Sequence, residues 1–265
     1  MNQISKYPRT HHIEGSRLQP GDEDLDSVPF SKIKDRYLVV EEKVDGANSG
    51  VSLSDEGRLM LQSRGHYLTG GGREKHFSLF KRWATSYFGP ISVLLGNRYL
   101  MYGEWLFAKH TIFYDQLSHY FQEFDVLDRV TGEFLSTERR HEMLRDTPIT
   151  SVRVLYSGTL SHLDDLLGLV GRSAFVSDQH LENLAAHAIQ SDLDPERIIR
   201  ETDSSDLMEG LYIKVEEDGV VKERYKYVRH DFLTAVSNSG THWLNRPILC
   251  NILQKDVDIY GSNNA

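Results

Sequence analysis

Hydrophobic and polar positions along the chain change period from block to block. Residues 37–44 form an apolar, β-branched run of the kind that makes a buried strand. Residues 49–53 and 59–63 flank Asp55-Glu56-Gly57 and predict a hairpin. Phe77, Phe80, Ala84 and Tyr87 then recur at spacings of three and four, which gives a helix one apolar face. Further strands are expected at 99–106 and 121–127. The section 137–200 reads as largely helical. Leu163, Leu166, Leu167 and Val170 form one stripe there, with Ser161 as its N-cap, and Leu181, Leu184, Ala185 and Ala188 form another. Strand character returns at 211–215 and 220–228, joined by Asp218-Gly219, a strong tight-hairpin signal. Residues 1–30 are polar and turn-rich, with Pro8, Gly15, Pro20, Gly21 and Pro29, and predict an irregular lead-in. The last thirty-odd residues hold His242-Trp243 and Arg246-Pro247 and finish polar. Because hairpins dominate the strand connections, the expected fold class is α+β with antiparallel sheets.

Composition narrows the function classes. The 265 residues are 39% hydrophobic and 26% charged, ordinary for a soluble globular protein, and can bury a proper core. No apolar run reaches the roughly 18 residues that a membrane helix needs, and residues 1–9 lack the apolar core of a secretory signal. A single cysteine, Cys250, excludes an internal disulfide and a cysteine-built zinc site. The expectation is a cytoplasmic enzyme with no membrane contact. A net charge of −9 argues against a nucleic-acid coat protein. It leaves room for nucleic acid as a substrate, since cations can gather in one cleft of an acidic surface.

The candidate chemistry begins at Glu42-Lys43-Val44-Asp45-Gly46-Ala47-Asn48, where the first clear strand ends. A lysine amine attacks phosphorus only when unprotonated, so its ordinary pKa near 10.4 must be lowered by desolvation or neighbouring cations. Lys-x-Asp-Gly by itself arises by chance in roughly 5% of chains this long. Lys222, Arg224 and Lys226 alternate, so a strand would point all three to one face. Such a cation row suits a phosphate and would depress the pKa of Lys43. Lys214 has the opposite strand parity to Glu209. Gly70-Gly71-Gly72-Arg73 lacks the Gly-Lys-Ser/Thr ending of a phosphate loop and reads as a mobile loop. The twelve histidines show no metal-ligand spacing, and His11-His12 read as surface residues.

Taken in order, these segments resemble the covalent nucleotidyltransferases, most closely the RNA ligase 2-like family of ATP-dependent RNA ligases. Lys43-Val44-Asp45-Gly46 matches the first motif, and Asn48 after it favours the RNA branch. Tyr102-Gly103-Glu104-Trp105 matches the third, 121–125 (FQEFD) the aromatic motif, 209–214 (EGLYIK) the fourth and Arg224-Tyr225-Lys226 the fifth. The resemblance implies an antiparallel-sheet nucleotidyltransferase domain of ligase type over 1–230, with a helical insertion. A short extension at 231–265 would follow, too short for an oligonucleotide-binding (OB-fold) barrel.

It also implies roles. Lys43 would carry AMP as a phosphoramidate, with Glu42 near the adenine, Glu104 on the ribose hydroxyls, Phe124 stacked on the purine and Glu209 at a divalent metal. Asn48, Arg64, Lys214, Arg224 and Lys226 would contact the nucleotide. The implied substrate is ATP with Mg2+ or Mn2+. The implied partners are RNA ends or a nicked RNA duplex, and an end-healing kinase-phosphatase. Two features depart from the pattern: phage members carry histidine where Asp45 stands, and the fifth motif has Arg224 where many relatives have lysine. A DNA ligase or GTP-using capping enzyme shares the chemistry, and a nucleotide- or RNA-binding module without catalysis is the rival from another class.

Overall fold

A computed structural model describes residues 4–18, 25–232 and 247–260. The expected hairpins form. The strands are β1 (His11–Ile13), β2 (Ser27–Val28), β3 (Tyr37–Lys43), β4 (Ala47–Leu53), β5 (Leu59–Ser63), β6 (Tyr99–Trp105), β7 (Phe121–Asp128), β8 (Glu133–Leu135), β9 (Thr150–Ser151), β10 (Val154–Thr159), β11 (Gly210–Glu217) and β12 (Val220–Val228). The helices are α1 (Ser78–Ser86), α2 (Phe88–Leu95), α3 (Thr137–Leu144), α4 (Leu163–Leu167), α5 (His180–Gln190) and α6 (Pro195–Arg200). The strands join in the order β10-β3-β11-β12-β8-β7-β6-β4-β5, with β1, β2 and β9 as side branches. The β11–β12 turn has positive φ at both Asp218 (54°) and Gly219 (75°), the backbone of a two-residue hairpin whose twist matches its strands.

Two apolar cores form on different parts of this sheet. In the first, Phe80 and Trp83 of α1 lie against Trp105 and Phe121 of β6 and β7. In the second, Leu38 and Val40 of β3 and Leu211, Ile213 and Val215 of β11 pack with Ile13 and Phe30 of the lead-in segment and with Ile33 just after it. The sheet folds over on itself between them. Lys214 of β11 ion-pairs with Asp125 of β7, although β12 and β8 separate those strands in the sheet order.

Several expectations change. Residues 137–200 are not uniformly helical, because β9 and β10 fall inside them and β10 pairs antiparallel with β3. Val154, Leu155 and Tyr156 carry the strand preference there; the helical stripes on either side masked it. Ser161 does not cap α4: its hydroxyl donates to Asp35, and His162 takes the N-cap position without a side-chain bond. The helix around Phe80 stops at Ser86, and α2 follows at once. The lead-in is not irregular throughout, since β1 pairs parallel with β12, His11 beside Tyr225 and His12 beside Lys226. His12 is fully buried, its Nδ1 2.6 Å from the Ser16 hydroxyl, so only His11 is a surface residue. Residues 247–260 carry no helix and pack on the domain, where buried Asn251 accepts from Tyr114 N and donates to Leu106 O. His242, Trp243 and Arg246 lie outside the described residues. Among the described residues, no helix is long and apolar enough to cross a membrane.

Candidate nucleotide-transfer site

Strand alternation divides the residues around the first motif. Leu38, Val40 and Glu42 face one side of β3; Val39, Glu41 and Lys43 face the other. Lys43 closes the strand in register with Gly210, so the side chain of Glu209 comes beside it: Lys43 Nζ lies 2.7 Å from Glu209 Oε2. Lys43 keeps 21% of its side chain exposed, whereas Glu209 keeps 2%. Gly46 makes room for a second carboxylate. A Cβ there would sit 2.9 Å from Glu104 Cγ and 2.5 Å from Leu106, so only glycine lets β6 close in. The space beside Gly46 thus goes to Glu104 and Leu106. Asp45 is the third carboxylate. Its Oδ2 accepts from Thr111 N at 2.7 Å and Ile112 N at 2.9 Å, and His110 Nδ1 stands 3.7 Å from Oδ1.

The electrostatics differ from the sequence expectation. Burial tends to lower the pKa of Lys43, but Glu209, Glu104 and Asp45 outweigh it and hold the amine above its ordinary value. The expected cation row does not depress it. Lys222 is exposed, while Arg224 stacks on the Phe134 ring at 4.0 Å and sits 3.7 Å from Asp125. Lys226 is buried in β12, in register with Tyr212. The carboxyl of Glu104 is pushed up to about 8, first by burial and then by Glu209 and Asp45, against Lys43 and Arg64. Asp45 goes the other way: burial raises it, and His110 together with the Thr111 and Ile112 amides brings it below its ordinary value. Without nucleotide, Lys43 is therefore an ammonium tied to Glu209.

The remaining expected residues separate into two groups. Asn48 pairs with Glu104 across β4 and β6, and its buried Oδ1 has no hydrogen-bond partner among the described residues. Arg64 is exposed at the end of β5, close enough for its charge to act on Glu104. Phe124 is the extra residue of a bulge where Tyr102 opposes Asp125 and Gly103 opposes Glu123. Tyr7 lies nearly perpendicular to its ring at 5.1 Å and Tyr212 lies tilted to it at 6.1 Å.

Glu42 and Lys214 point elsewhere. Glu42 is buried on the other side of β3, accepting from the Ser173 hydroxyl at 2.5 Å; burial raises its pKa and that bond opposes the rise. Lys214 has no exposed surface. Its Nζ donates to Phe124 O and lies 2.9 Å from Glu41 Oε2 and 3.2 Å from Asp125 Oδ1. Arg140 of α3 extends this cluster, 2.5 Å from Glu41 and 2.7 Å from Glu123.

Three participants were not singled out from the sequence. Glu41 carried a faint signal, being charged within an apolar strand and sharing the parity of Lys43. Arg140 carried none. Tyr7, in the polar lead-in, donates to Asp125 and lies 2.5 Å from the Tyr212 hydroxyl, bridging β7 and β11.

A model of the RNA ligase family matches residues 36–228. The chain belongs to the RNA ligase family. The described antiparallel sheet is the family's nucleotidyltransferase fold, and solved structures agree. An apo variant of Naegleria gruberi RNA ligase superposes with a TM-score of 0.55 at 17% identity, covering 87% of this chain and 57% of that one. Another apo variant gives 0.54 at 18% identity, covering 89% and 58%. A variant solved with ATP and Mn gives 0.53 at 17%, covering 87% and 58%. This RNA ligase family chain therefore spans less than two thirds of the length of those neighbours. No curated protein sequence matches it. Residues 4–18, which bring Tyr7 and His12 to the sheet, lie before the matched segment.

Proposed function

We propose that this chain is an ATP-dependent RNA ligase that works through a lysyl-AMP intermediate on Lys43. The observation that carries the reading is the Lys43–Glu209 pair at 2.7 Å at the end of β3, with Glu104 and Asp45 near enough for their charge to act on the amine. Lys43 Nζ would attack the α-phosphorus of ATP; a P–N bond forms as the bond to the bridging oxygen breaks, and pyrophosphate leaves. An RNA 5′-phosphate oxygen then takes the AMP from Lys43. Finally an RNA 3′-hydroxyl attacks that 5′-phosphorus, expelling AMP and leaving a phosphodiester.

The residues fit this substrate. Asn48 Oδ1, buried without a donor, and Glu104 beside it form an acceptor pair for ribose hydroxyls. Among the described residues, no three His, Cys, Asp or Glu side chains cluster as a protein-only metal cage. Mg2+ or Mn2+ does not need one, because one or two carboxylates plus substrate phosphates suffice, and Glu209 beside Lys43 would be the carboxylate that serves. A bound divalent ion would neutralise the carboxylates around Lys43 and draw negative charge off the α-phosphate. The protein's own part is to hold Nζ still; its ammonium proton would pass to solvent, which the 21% exposed side chain reaches, before the amine attacks. Naegleria gruberi RNA ligase, solved with ATP and Mn, supports the same choice of nucleotide and metal class.

The test is incubation with α-labelled ATP and magnesium, denaturing electrophoresis, and mapping of the labelled residue. The parent should carry the label on Lys43, and Lys43→Ala should carry none. Equal labelling of the variant overturns the assignment. GTP in place of ATP, and nicked DNA in place of nicked RNA, separate this reading from a capping enzyme and a DNA ligase.

A further inference from the structure

A groove of about 690 Å³ opens on the Glu42 side of β3, lined among others by Arg153, Arg172, Ser173, Asp178, Gln179 and Asn183. It is joined to β3 one residue before the nucleophile. The Ser173 hydroxyl donates to Glu42 Oε1 at 2.5 Å, and Glu42 N donates to Arg153 O at 2.9 Å. Its wall is stiff, because Asp115 accepts from Ser177 N at 2.7 Å, from the Ser177 hydroxyl and from Asn183 Nδ2 at 2.7 Å.

The two arginines are held differently. Arg172 donates to Val176 O at 3.2 Å and pairs with Asp178. The guanidinium of Arg153 lines the groove and makes no hydrogen bond or ion pair among the described residues, while its charge acts on the Glu42 carboxyl. An unpaired guanidinium is a planar fork of donors that fits a phosphate. Side-chain amides and hydroxyls nearby can both donate to and accept from sugar hydroxyls, including the 2′-OH of RNA. Ala174 and Val176 supply little apolar lining, which disfavours a peptide held by hydrophobic side chains. On a chain of net charge −9, the lining sets Arg153 and Arg172 against one carboxylate, Asp178, and so keeps a small positive excess where an anionic strand would gather.

We propose that this groove takes the RNA strand that bears the 5′-phosphate, with its phosphodiesters on Arg153 and Arg172, and so leads its end to Lys43. The proposal rests on the ligase reading and adds the surface that reading lacks. Arg153 is the informative position, because its guanidinium gives up no hydrogen bond on substitution, only its charge near Glu42.

The experiment uses the full chain and a fluorescent nicked RNA duplex with a 5′-phosphate at the nick. Parent, Arg153→Ala, Arg153→Glu and Arg153→Lys are compared for labelling of Lys43 by ATP, for RNA anisotropy across a salt series, and for sealing rate. Arg153→Ala should label as the parent does, bind RNA at least fivefold more weakly and seal correspondingly slowly. Its salt slope should fall by roughly 0.7–0.9, the value of one phosphate contact. Arg153→Glu should be worse still, and Arg153→Lys should recover most of the binding. Parent-like RNA binding and sealing by Arg153→Ala and Arg153→Glu overturn the groove, as does a loss confined to Lys43 labelling. Failure of the parent itself to form an adduct overturns the ligase reading instead, and the anisotropy series still decides the groove.

Discussion

Replacing Lys214 by methionine should destabilise the protein far more than an exposed nucleotide ligand would. The side chain has no exposed surface and sits 2.9 Å from Glu41 Oε2 and 3.2 Å from Asp125 Oδ1. Neither of those oxygens has another hydrogen-bond donor among the described residues. Arg140 covers the other Glu41 oxygen, and Tyr7 covers the other Asp125 oxygen. Methionine fills the same length of chain without charge, so the change leaves two buried carboxylate oxygens bare. Breaking a buried ion pair in this way costs about 3–5 kcal/mol. At roughly 2–4 °C per kcal/mol for a domain of this size, Tm should fall by about 6–20 °C. Adding Glu41→Gln removes one of the bare charges, so the double variant should be less destabilised than the two single effects added together. Thermal and urea unfolding of the four proteins, without nucleotide, makes the measurement. If Lys214→Met unfolds within about 1 kcal/mol of the parent yet loses ATP binding, the packing argument is wrong and Lys214 is a nucleotide contact after all.

Three further outcomes follow from the geometry. The folded protein keeps the Glu104 proton up to about pH 8, whereas an ordinary carboxyl at 4.5 has lost it, so this group's contribution to stability is complete below 4.5 and is lost as pH rises through 8. Glu104→Gln removes that loss: from pH 5 to pH 9 its Tm should climb relative to the parent, by the equivalent of about 1–3 kcal/mol after allowance for partial exposure, while ATP affinity drops. A pH-independent difference in Tm would count against it. Tyr7→Phe keeps the ring contacts but loses the hydroxyl between Asp125 and Tyr212, and should lower the unfolding free energy by about 1–3 kcal/mol, read as a lower urea midpoint at unchanged m-value; an unshifted midpoint would show that the hydroxyl does not bridge the strands. Gly210→Ala places a Cβ against the Tyr227 carbonyl, forcing β11 from β12 next to Glu209. Such overpacking costs about 1–3 kcal/mol or more and should remove Lys43 labelling, so a variant with parental Tm and labelling refutes the close approach.

Residues 37–44, 49–53, 59–63, 211–215 and 220–228 declared their strands through local apolar and polar order and turn chemistry. Asp218-Gly219 could build only a tight turn, and Lys43, Glu104 and Glu209 were named as partners from their motifs. Local pattern was enough there because a strand's period and a turn's φ values belong to a few neighbouring residues. Strands β9 and β10 were hidden between helical stripes, since six residues give too little periodicity to outweigh their surroundings.

What the sequence could not determine was the sign of the field at Lys43. Parity put Lys222, Arg224 and Lys226 on one face, but what that face meets depends on how the sheet folds over. The fold sends Arg224 to Phe134 and Asp125, buries Lys214 among carboxylates, and gathers Glu209, Glu104 and Asp45 around the amine. Tyr7 shows the same limit, because a residue in a polar lead-in becomes a bridge only when strands more than a hundred positions away come to it. Spacing along the chain fixes which residues share a strand face; only the packing of one face on another fixes which charges share a low-dielectric space, and that decides a pKa.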